Sequence, residues 1–164
     1  MSHYCQEVKG LFRLLAYLVK HKDQDGIEMI FMSDGKSRRQ KRVTGLASAL
    51  SLHCSEFSGT SNASHWLGKI FREYETKWER RNAGGRYLRP NHTVRPMVVY
   101  VFTDGVWEGT CRVGPKICDL IQHLKGADEH QVGVQFIQFG RDQKGTRRLR
   151  YLDEGLVATG KTNM

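Results

Sequence analysis

Met97–Gly109 reads MVVYVFTDGVWEG, and the fold turns on this stretch. The phenol of Tyr100 is the one polar side-chain group in its first six residues, so the run does not alternate between apolar and polar. A strand apolar on both faces belongs inside a sheet covered on both sides, as in α/β proteins. The run ends in Thr103-Asp104-Gly105, a polar turn at the carboxyl end of the strand. Open α/β sheets place their ligands at that end. Asp104 is therefore the most informative acid in the chain.

Bulk properties bound the rest. The 164 residues suffice for one domain, 1–164, with a core of its own. A hydrophobic content of 39% and three prolines fit a folded chain. No apolar run approaches the ~20 residues of a membrane span, and no signal-like apolar segment follows Met1. The expectation is an intracellular protein, cytoplasmic rather than nuclear. Cys5, Cys54, Cys111 and Cys118 share no CxxC spacing and read as reduced, buried thiols. The triplets Asn62-Ala63-Ser64 and Asn91-His92-Thr93 match the glycosylation pattern but mean little without a signal peptide. The net charge of +9 favours acidic partners.

Outward from the central strand, periodicity predicts alternating helices and strands. Val8, Leu11, Phe12, Leu15, Leu18 and Val19, widened by Leu14 and Tyr17, predict a helix over 4–21. Ile27–Met32 reads as a short strand and Asp34–Arg42 (DGKSRRQKR) as a basic, solvated loop. A second helix is expected over 43–57, on Val43, Leu46, Ala47, Leu50, Cys54 and Phe57. A third is expected over 63–81, on Leu67, Ile70, Phe71, Tyr74 and Trp78, with Ser61 or Asn62 as its cap. Beyond the central strand, Pro115 suits the first turn of a short helix bearing Ile117, Leu120, Ile121 and Leu124. Gln131–Phe139 is a further strand, 146–152 is helical, and Leu156–Ala158 is a stub. This alternation argues for a largely parallel sheet.

The segments VFTDGVWEG, QVGVQFIQFGRD, LRYLDEGL and SGTSNAS together resemble the von Willebrand factor A-type domain, in its fungal branch, over about residues 7–156. The remaining 157–164 read as a tail. The resemblance implies a three-layer, doubly wound sheet with helices on both faces. It also implies a metal-ion-dependent adhesion site at the carboxyl ends of the strands. Thr60 and Asp104 match the threonine and the TDG aspartate of that site. The family's Asp-x-Ser-x-Ser loop and the first, central strand before it have no counterpart. Mg²⁺ demands near-ideal octahedral oxygen coordination, so it is expected only if the missing strand is supplied. Asp104 can equally be a turn acid and Thr60 a capping hydroxyl.

The implied function is a non-enzymatic protein-interaction module with an incomplete metal site. Ser58, Ser61, Trp107 and Glu108 are candidate partner contacts, and the partner could engage through an acidic residue. Trp107 can instead pack over the end of the sheet. Loss of the central strand would leave open edges beside Ile27–Met32 and Met97–Thr103. Either those strands close on each other or the chain self-associates. The alternative function is a nucleic-acid- or polyanion-binding protein using Lys36, Arg38, Arg39, Lys41 and Arg42 with Arg147, Arg148 and Arg150. Two other chemistries find no support. Gly155–Thr162 matches G-x-x-x-x-G-K-[ST], but a helix is expected before it rather than a strand. The seven histidines form no nucleophile motif.

Overall fold

The computed structural model describes residues 2–19, 27–30, 39–43, 61–82, 94–124 and 131–156. Among them the chain is mixed α/β, with four α-helices and a small parallel sheet. The elements are α1 (Cys5–Val19), β1 (Ile27–Ile30), β2 (Arg39–Val43), α2 (Ala63–Asn82), β3 (Met97–Thr103), α3 (Val113–His123), β4 (Val132–Gln138) and α4 (Gln143–Arg150). A π-helical turn, Tyr151–Gly155, follows α4.

The organising pair is β3 and β4, parallel and in register from Met97↔Val132 to Thr103↔Gln138. A parallel pair needs a crossover, and α3 supplies it. The faces of β3 differ. Val101 and Thr103 are buried, and Met97, Val99 and Val101 pack with Leu67, Phe71 and Tyr74 of α2 and Leu120 of α3. On the other face Phe102 packs with Phe12 and Ala16 of α1, while Val98 is 59% and Tyr100 41% exposed. The expectation of full cover on both faces therefore fails at the amino half of β3. Its apolar composition overstates its burial, because the α1 cluster includes Phe102 but neither of those side chains.

Tyr74 ties α2 to the amino ends of both strands. Its hydroxyl donates to the Arg95 carbonyl at 2.9 Å, with the Gln131 carbonyl at 3.3 Å, and accepts a short hydrogen bond from the Gln131 amide. Gln131 also donates to the Val94 carbonyl at 2.9 Å. Both side chains are buried, so this polar group is satisfied internally, as burial requires.

Several expectations are corrected. Part of the basic segment 34–42 is a strand: Arg39–Val43 pairs antiparallel with β1, with a register irregularity between Ile27 and Met29. Backbone pairing does not require apolar side chains, and charged edge strands are common. The antiparallel β1–β2 pair is a sheet separate from the parallel β3–β4 pair. Among the described residues β1 pairs only with β2 and β3 only with β4, so β1 and β3 do not close on each other. Val43 ends β2 rather than opening a helix, and 44–57 lie outside the described residues. Leu156 continues the helical segment instead of forming a stub, and 157–164 also lie outside.

The helical stripes shift as well. On α1 the buried residues are Cys5, Val8, Phe12 and Ala16, while Leu14, Tyr17 and Leu18 are exposed. On α3 Ile121 is exposed and Val113 is buried in its place. Cys5 is disulfide-bonded, which corrects the reading of four reduced thiols, whereas Cys111 and Cys118 are free. Cys54 lies outside the described residues.

Candidate functional site at the carboxyl edge of the parallel strands

The site begins where β3 ends. Thr103 is buried, and its hydroxyl accepts from Gly105 N at 2.9 Å and from Trp107 Nε1 at 2.8 Å. Those bonds fold the loop back over the strand end. Asp104 adds an Asx turn, its Oδ1 accepting from Val106 N at 3.0 Å. Gly105 takes φ +76°, a conformation that favours glycine. It also lies against Gly145 of α4 so closely that a Cβ at Gly105 would stand 2.6 Å from Gly145 Cα. Loop and helix meet backbone to backbone.

Trp107 is the keystone of this edge. Its ring is 6% exposed and lies 5.9 Å from Phe136 of β4 between centroids. The Arg148 guanidinium sits 5.4 Å from the ring centroid and donates through Nη1 to the Gly105 carbonyl at 3.0 Å and the Trp107 carbonyl at 3.4 Å. A buried ring is not an exposed partner contact. Of the two readings of Trp107, packing over the sheet end is the one the geometry has, because the Thr103 hydroxyl gives the indole N–H a buried acceptor.

Glu108 is half-buried and accepts from Asn62 Nδ2 at 3.4 Å. Asn62 is the cap of α2: its Oδ1 accepts from His65 N and from Ser64 Oγ, each at 3.0 Å. Ser64 N in turn donates to the free thiol of Cys111 at 3.2 Å. The structure therefore brings Glu108 and the Ser61–Asn62 end of the SGTSN segment together on one edge. Asp104 belongs to the same loop as Glu108. Ser61 is half-buried; Ser58 and Thr60 lie outside the described residues.

Sequence reasoning missed the roles of Thr103, Arg148, Gly145 and Cys111 at this edge. The sequence places Arg148 with Arg147 and Arg150 as a polyanion contact, whereas here it covers the Trp107 ring and spends its donors on the loop. The glycine pair Gly105 and Gly145 carried a signal, since glycine marks close backbone approach, but sequence does not say which glycines meet.

Of the two side chains the resemblance assigns to a metal, Asp104 is described and Thr60 lies outside the described residues. Asp104 spends one carboxylate oxygen on its own turn. Among the described residues no three His, Cys, Asp or Glu side chains converge as a metal site. The P-loop pattern fails on context, because a π-helical turn rather than a strand leads into Gly155. No described helix is long and apolar enough to cross a membrane. Compared with protein-family models, curated proteins and solved structures, the chain matches none of them.

Proposed function

We propose that the chain is a non-enzymatic protein-interaction module of the von Willebrand A type. Its contact surface is the edge formed by Ser61, Asn62, Asp104 and Glu108. The observation that carries this reading is the hydrogen bond from Asn62 to Glu108, which joins the segment before α2 to the loop after β3. Those are the two segments in which the resemblance locates Thr60 and Asp104. The parallel β3–β4 ladder and the TDG turn at its carboxyl end support the doubly wound fold.

The donor chemistry favours a contact made without a metal. Asp104 and Glu108 are carboxylates on this edge and offer acceptors. The partner surface they suit then carries hydrogen-bond donors or basic groups, rather than the acidic residue of a metal-bridged contact. Arg148 and Gly145 hold the loop from behind, so the acceptors sit on a rigid support.

A peptide-display selection on the immobilised chain tests this. Enriched peptides should carry Lys or Arg, should bind equally with Mg²⁺ or chelator, and should lose at least about tenfold in affinity, ~1.4 kcal/mol, with Glu108→Arg. Binding that ignores both Glu108→Arg and Asp104→Ala places the contact elsewhere and sinks the assignment.

A further inference from the structure

The last described helix carries more charge than packing explains. Arg141, Lys144, Arg147 and Arg150 are exposed, and so is Tyr151 in the turn that follows. Arg148, on the same helix, is engaged with Gly105 and Trp107. Of the nearby acids, Asp142 caps the helix by accepting from Gly145 N at 2.8 Å, Glu154 lies 4.0 Å from Arg150, and Asp153 is exposed in the turn after the helix. Among the described residues no carboxylate pairs with Arg141, Lys144 or Arg147. Lys144, Arg147 and Tyr151 follow one another at spacings of three and four, which puts them on one helical face. Arg147, Arg150 and Tyr151 line one shallow, open depression, with Glu154 and Gly155 at its end.

Cations beside an exposed aromatic ring, here Lys144 and Arg147 without a carboxylate partner among the described residues and Arg150 only loosely paired, can hold a phosphate backbone while a base stacks on the ring. A duplex offers the phosphates but keeps its bases stacked within the helix, so Tyr151 would gain nothing from it. An acidic peptide would satisfy the cations and leave the ring unused. We propose that this face of α4 binds single-stranded nucleic acid. Lys144, Arg147 and Arg150 on the helix and Arg141 just ahead of it contact phosphates, and Tyr151 in the turn that follows stacks under a base. The inference stands or falls without the protein-partner reading.

Fluorescence anisotropy of the full chain tests it, with a labelled mixed-sequence single strand, the matching duplex and a poly-glutamate peptide across a salt series. The single strand should bind tightest, with log affinity falling against log salt at a slope of about −3, from four phosphate contacts at ~0.7 each. Arg147→Glu with Arg150→Glu should abolish binding, whereas Lys77→Glu, an exposed charge on α2, should cost only a small uniform factor. Tyr151→Ala should weaken the single strand by about tenfold and leave any duplex binding unchanged. Arg147→Gln with Arg150→Gln, checked for an unchanged melting curve, guards against a folding defect. The proposal is overturned by equal affinity for the duplex or poly-glutamate, by Lys77→Glu matching the double reversal, or by a Tyr151→Ala variant that binds like the parent.

Discussion

Thr103 anchors two donors that converge from within its own loop, and the chemistry of the edge depends on that arrangement. Removing the ring that one donor belongs to should be costly. Trp107→Ala is expected to destabilise the fold by about 3–5 kcal/mol, the range for a large buried aromatic. At about 2–4 °C per kcal/mol for a chain of this size, thermal melting would register it clearly. A fall of under a degree would mean that the edge does not depend on the indole. The glycines make a paired forecast. Gly145→Ala places a methyl group against the backbone of Asp104 and Gly105, which cannot rotate away, so a loss of roughly 1–3 kcal/mol is expected. Gly10→Ala on α1 meets nothing within 4 Å and should instead stabilise by about 0.5–1 kcal/mol. Equal effects at the two sites would refute the close approach. At this scale sequence was a partial guide. Asp104 could be singled out because a TDG turn after an apolar strand has a positional meaning. Arg148 could not, because one arginine among several looks alike until its carbonyl acceptors are in place.

The helices divide by how completely one face is buried. In α2 the predicted stripe holds: Leu67, Phe71 and Tyr74 are buried, and Asn62 supplies the cap. Leu67→Ala should therefore cost about 2–5 kcal/mol, and Asn62→Ala about 1 kcal/mol. In α1 the apolar residues exceed what the fold covers, so Leu14→Ala on its exposed face should stay within about 0.5 kcal/mol. Chemical denaturation of the three variants orders them, and a Leu14→Ala loss comparable to Leu67→Ala would overturn the assignment of faces. Periodicity located α1 because Val8 and Phe12 recur at helical spacing. It could not choose among Ala16, Leu14 and Leu18, since the choice depends on what stands opposite. It failed for β2, whose basic residues carry no apolar alternation.

At the scale of the molecule, two short ladders share one chain, and Val98 and Tyr100 remain exposed on β3. Concentration-dependent association is the expected behaviour of a strand bearing such side chains. Light scattering on a dilution series should show it, and Tyr100→Lys should reduce it without lowering the melting temperature. A monomer at every concentration would remove the case for self-association. Millimolar Mg²⁺ should leave the melting temperature unchanged. A site filled to 100 times its dissociation constant would add ~2.7 kcal/mol, so a rise that vanishes in Asp104→Ala would restore the metal to the mechanism. The parallel register has one more consequence, and it concerns time. Met97 pairs with Val132, about 35 residues further on. At a synthesis rate of about 5–20 residues per second, β3 emerges from a ribosome some 2–7 s before its partner. Through that interval the most apolar run in the chain has no β4 to pair with, and whatever shields it then governs how much protein reaches the folded state.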